Sequence, residues 1–263
     1  LLSDRERAIL PMLSVFRGGF AREAAEFLAA ATLRDLLGLV NKSWLQPVEI
    51  RDTKYELRDR KETPAAQAGD SELPTHVSNI VSPSGGRFML HVLLRQYAEE
   101  KLAEMPELED QARDRQARYF ARFLESNMRR MLGREQARAF DGVAEEFDDI
   151  QQAWEWWARR GEFGRLVDQM LLPLFLYATA RFVGTGVAPL LDKAIERRQI
   201  ATAAQPDTDE PDALLAALII AHSAASRAQA SSIRARNHSP PAQMARTAAG
   251  ASTMAEAALR PMS

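Results

Sequence analysis

Phe88-Met89-Leu90-His91-Val92-Leu93-Leu94-Arg95-Gln96-Tyr97-Ala98 is the stretch on which the reading of this chain turns. It joins a strand to an amphipathic helix, with an imidazole at the junction. A helix start presents backbone N–H groups that have no partner inside the helix, together with a partial positive charge. An anion, above all a phosphate, is well held there, and a neighbouring His adds a donor. Spacing alone leaves His91 two readings: a satisfied, half-buried structural residue, or a ligand contact.

Upstream, Ser3-Asp4-Arg5-Glu6 places a capping residue three positions before an acid, and Ala8, Ile9, Leu10, Met12 and Leu13 supply an apolar face, so a first helix is predicted, bent or interrupted near Pro11. Gly18-Gly19 breaks the chain. A second helix restarts over 22–31, with Ala24, Ala25, Phe27 and Leu28 at helical spacing. Thr32 caps a third, whose expected buried stripe is Leu33, Leu36, Leu37 and Val40 up to Asn41. Residues 44–50 and 54–58 then read as two short strands around Arg51-Asp52-Thr53. Three helices and a small β-hairpin amount to a winged helix. The stretch 59–86, with Pro64, Pro74, Pro83 and a Ser-Pro-Ser-Gly-Gly run, reads as an exposed, flexible insertion in the wing. With it, either the wing is extended or 54–58 and 87–90 are separate strands.

Past Pro106 the chain is almost wholly helical, with segments at 107–132, 135–160, 163–183 and 187–198 suited to antiparallel hairpins. Gly133, Gly161 and Gly184-Thr185-Gly186 supply the turns. Tyr119, Phe120, Phe123 and Leu124, with Trp154 and Trp157, form an aromatic stripe of the kind that packs a core. From 201 the character changes: Asp207-Thr208-Asp209-Glu210-Pro211-Asp212 is an acidic linker that caps a helix from 213 to about 233. The Ala-, Ser- and Pro-rich remainder to 263 is expected to be disordered or poorly packed. The fold class expected is mainly α.

The opening stretch resembles the Met-His-Asp region of the winged-helix domain in NB-ARC and related STAND signalling ATPases. Leu13-Ser14-Val15-Phe16-Arg17-Gly18-Gly19-Phe20, then Ala24-Ala25, then Leu36-Leu37-Gly38-Leu39-Val40-Asn41-Lys42-Ser43 is similar to the start of that domain in large bacterial regulators, LuxR-type and cyclase-linked members among them. Asp114-Arg115-Gln116-Ala117-Arg118-Tyr119-Phe120 and Glu146-Phe147-Asp148-Asp149-Ile150-Gln151-Gln152-Ala153-Trp154 resemble, less specifically, the helices linking it to tetratricopeptide-like repeats. The resemblance implies a winged helix over 1–104, a helical repeat-like region over 105–200, and a linker, helix and tail over 201–263. It also implies a regulatory role in a cytoplasmic, ATP-dependent signalling or transcription regulator. His91 takes the place of the histidine that contacts the β-phosphate of ADP in the closed, inactive state. Leu90 replaces the usual Met, and Val92 stands where an acid is often found. The partners implied are an upstream nucleotide-binding domain, which would hold ADP or ATP, and a protein or small ligand on the helical repeats. A chain that begins with Leu and not Met fits a fragment lacking that domain.

The chemistry this chain can carry is bounded by what its residues lack. No G-x-x-x-x-G-K-[ST] phosphate loop occurs, so ATP hydrolysis by this chain alone is not expected. Without cysteine there is no disulfide framework, thiolate nucleophile or Cys-based zinc site, and four histidines at 76, 91, 222 and 238 are too scattered for a metal cluster. No Ser, His and Asp sit in a nucleophile motif. The acidic run Glu145-Glu146 with Asp148-Asp149 reads as a solvated helix face opposite Phe147, Ile150 and Trp154. Thus no enzyme, no catalytic residue, no metal and no cofactor of its own are expected. The longest apolar stretch, 170–180, contains Pro173 and is far short of the ~20 residues a bilayer span needs, so no membrane role is expected. The candidate nucleic-acid contacts are Arg34 on the third helix and Arg51, Lys54 and Arg58 in the wing. Asp52, Glu56 and Asp59 offset the wing cations, and a net charge of -2 gives no global attraction for phosphate. DNA binding and a stand-alone helical adaptor are therefore the alternatives to the regulatory lid.

Overall fold

Serine at position 3 starts the first helix. Its hydroxyl accepts from the Glu6 backbone N–H at 3.3 Å, and the Glu6 carboxylate accepts from the Ser3 N–H at 2.6 Å, a closed capping box. The computed structural model describes residues 2–48, 86–181, 186–203 and 212–238, and the chain divides into two compact units at Arg115–Gln116. It is mainly helical, with one small three-stranded antiparallel sheet.

The first unit opens with α1 (Asp4–Leu13), β1 (Phe20–Ala21), α2 (Arg22–Ala29) and α3 (Leu33–Asn41). It continues with β2 (Leu45–Val48), β3 (Arg87–Leu90), α4 (Val92–Ala103) and the start of α5 (Pro106–Met131). Pro11 sits inside the last turn of α1, where it removes the backbone N–H that would otherwise bond to the Arg7 carbonyl. Thr32 and Asp35 form a second capping box at the start of α3. The stripe that α3 buries is Leu36 and Leu39, with Leu33, Leu37 and Val40 only half-buried, a shift of phase from the expected one.

In the sheet β3 is central, flanked by β1 and β2, with Phe20 opposite Phe88 and Leu45 opposite Leu90. Pro47 is tolerated because β2 lies at the edge. Phe16 stacks on Phe20 at 4.7 Å, and Phe20 meets Phe88 at 6.2 Å, so the β1 strand, which no local pattern announces, threads the centre of this unit's core. The strand expected at 54–58 and the insertion at 59–86, Gly86 apart, lie outside the described residues, as do Arg51, Lys54 and Arg58.

The second unit takes up the rest of α5, then α6 (Gln136–Glu145), α7 (Phe147–Arg159), α8 (Phe163–Arg165), a π-helical turn (Leu166–Leu171), α9 (Leu172–Arg181), α10 (Val187–Ala203) and α11 (Ala213–His238). Gly161, at φ +75°, ends the α7 segment in the left-handed region where glycine is at home. Phe120, Leu124, Phe140, Val143, Ile150, Trp154, Trp157, Leu190 and Leu191 are buried, and the Trp154 indole donates to the Leu190 carbonyl at 3.1 Å. Asp212 accepts from the Leu215 N–H and pairs with Arg198 at 2.7 Å, tying the start of α11 to α10. Burial raises the Asp212 carboxyl, but bonds from Arg198, Leu215 and Thr202 outweigh it and hold the group below the usual carboxylate range.

The acidic run at 145–149 departs from its expected solvated role. Glu145 and Asp148 are exposed, whereas Glu146 and Asp149 are buried, and Asp149 accepts from the Gln116 amide at 3.1 Å. The reason is the break at Glu146 between α6 and α7: the second helix restarts with a new phase and turns residues 146 and 149 inward with Ile150 and Ala153.

Candidate functional site

The site begins with strand β3, which delivers Leu90 to the core and leaves His91 at the N-cap of α4. The first helical bond, from the Arg95 N–H to the His91 carbonyl, is 2.9 Å long. His91 is exposed, and its Nδ1 accepts from the Leu93 N–H at 3.4 Å, so the ring helps to cap its own helix. A neutral imidazole that accepts at Nδ1 carries its proton on Nε2, which makes the outer edge of the ring a donor.

Two guanidinium groups fix the loop beside this helix start. Arg95, one turn into α4, donates to the Arg17 carbonyl at 2.5 Å, and Arg87 on β3 donates to the Gly19 carbonyl. They anchor the Arg17-Gly18-Gly19 loop to the two elements that carry His91. Val92 bears no hydrogen-bonding group and is 58% exposed.

Around His91 lies an apolar surface. Leu93 is 68% exposed and Tyr97 47%, with Met89 also exposed and Trp44 6.1 Å from the Tyr97 ring. Lys101 lies over that ring at 5.9 Å. On α4 only Ala98 and Leu102 are buried. The sequence reads as an ordinary amphipathic helix here, a reading that leaves out this face. The signal was present: Val92, Leu93 and Leu94 in succession span more of the circumference than one buried stripe occupies.

The nucleic-acid candidate Arg34 is exposed on α3, at an open groove of about 600 Å³ also lined by Glu6, Asp35, Leu37, Asn41 and Lys42. The other charges there are committed. Lys42 Nζ is 2.5 Å from Glu6, and this bond, followed by the Ser3 N–H, holds the Glu6 carboxyl down at about 2. Burial raises the Asp35 carboxyl, but Thr32, through its hydroxyl and N–H, and then Arg5 outweigh it and leave it below the ordinary range. Arg34 stands on α3 and His91 at the N-cap of α4, and His91 is not among the residues that line the groove beside Arg34.

In the second unit Ser226, His222 and Asp192 come together, with Asp192 at 3.0 Å and Ser226 at 3.3 Å from the histidine. Both meet the same atom, Nε2. A proton relay needs the hydroxyl on one ring nitrogen and the carboxylate on the other, so this cluster is a polar contact between α10 and α11 and not a nucleophile site. Among the described residues there is no group of three or more His, Cys, Asp or Glu able to hold a metal, and no helix is long and apolar enough to cross a membrane.

No protein-family model, curated protein or solved structure matches this chain.

Proposed function

We propose that the first unit is a winged helix acting as a non-catalytic lid on a nucleotide-binding domain, within a cytoplasmic, ATP-dependent signalling or transcription regulator of the NB-ARC type. The helices after it form a tetratricopeptide-like platform for a protein partner or a small ligand. The element order α1-β1-α2-α3-β2-β3 with sheet order β1-β3-β2 supports the winged-helix reading.

One observation carries the functional reading: an exposed histidine, its outer nitrogen free to donate, stands at a helix start and is bordered by Met89, Val92, Leu93 and Tyr97, all exposed. The apolar face docks against the nucleotide domain, and His91 Nε2 donates to the β-phosphate of the ADP held there. This chain contributes no catalytic group, and ADP or ATP belongs to the partner domain. Val92, where the NB-ARC proteins that this stretch resembles often carry an acid, makes the closed state less firmly held. DNA contact through α3 is the weaker reading, because Arg34 stands at a groove whose Lys42 is taken by Glu6 and whose remaining charge is the carboxylate of Asp35.

Calorimetric titration of ADP into the full-length regulator, with and without His91→Ala, tests the lid. Loss of one hydrogen bond to a charged group is expected to weaken ADP by roughly 1.5–3 kcal/mol and to raise basal signalling. Equal affinity with equal basal activity would return His91 to the role of a helix cap and remove the proposal.

A further inference from the structure

We draw no further inference here: the strongest candidate, the exposed apolar face formed by Met89 on β3 and by Val92, Leu93 and Tyr97 on α4, belongs to the docking surface proposed above, and nothing in the structure shows what else covers it.

Discussion

Helices α4 and α7 are of similar length, 12 and 13 residues, yet they distribute their side chains in opposite ways. In α7 even an acid goes inside: Asp149 is buried beside Ile150, Trp154 and Trp157 and takes a hydrogen bond from Gln116. In α4 the apolar residues stay outside, with Val92, Leu93 and Tyr97 exposed and only Ala98 and Leu102 buried. A helix that buries a satisfied polar group is completing its own core. A helix that exposes a contiguous apolar face offers it to something else. The contrast moves attention away from the acidic run, whose charge density is the more conspicuous feature of the sequence, and onto the start of α4.

The contrast is tested most strongly by truncating one large side chain in each helix. Trp154→Ala removes a fully buried indole and its bond to Leu190, and is expected to cost about 3–5 kcal/mol. Leu93→Ala on α4 should stay within about 0.5 kcal/mol, as exposed positions do. Urea unfolding of the two variants measures both. A large loss at Leu93 would mean that this side chain is covered, and the difference between the helices would vanish.

A second comparison lies within the acidic run itself. Asp149→Ala takes away the acceptor of the buried Gln116 amide and is expected to destabilise by about 1–3 kcal/mol. Glu145→Ala, at an exposed position four residues earlier, should be nearly silent. Equal effects would restore the view of the whole run as a solvated face.

What the sequence announced and what it concealed follow the range of the interactions involved. Thr32 caps the start of α3 as expected because a capping box is a local device, written in four adjacent residues. The two-residue strand Phe20–Ala21 is strand only because Phe88 and Arg87 lie opposite, and no local propensity encodes a partner so distant in the chain. The stripe on α3 was misphased because a helix of nine residues has too few turns to fix which leucines face inward. The π-helical turn at Leu166–Leu171 widens the helical spiral inside a segment whose apolar residues read as one continuous helix. Of the site, His91 was legible as a helix-start imidazole. The Arg87 and Arg95 anchors and the exposed face were not, because each depends on what the rest of the first unit leaves uncovered.

Acid titration sharpens the contrast between structural and displayed groups. The Glu6 carboxyl falls from 4.5 to about 2 in the folded chain, chiefly through Lys42. A depressed carboxyl favours the fold while ionised, so this contribution is complete above pH 4.5 and is lost as the pH falls toward 2. Glu6→Gln should flatten the pH dependence of stability in that window, with Asp35 and Asp212 leaving a residual slope of the same sign. An unchanged acid limb in the variant would show that the bond between α1 and the end of α3 is absent in solution.

The smallest expected effect is the most pointed test of α4. Val92 is 58% exposed in the first turn of a helix that has no acid there. Val92→Asp sets a negative charge near the positive end of the helix dipole and removes no packed methyl groups. The isolated chain is expected to gain about 0.3–1 kcal/mol in urea unfolding. Under the lid reading proposed above, the same change placed in a chain that carries the proposed nucleotide-binding domain should make the lid hold ADP more tightly and signal less at rest. A loss of more than about 1 kcal/mol in the isolated chain would place Val92 in a packed environment. That outcome would contradict the open face on which the reading of His91 depends, whereas a stable variant with unchanged ADP affinity would leave the surface open and deny it the lid's role.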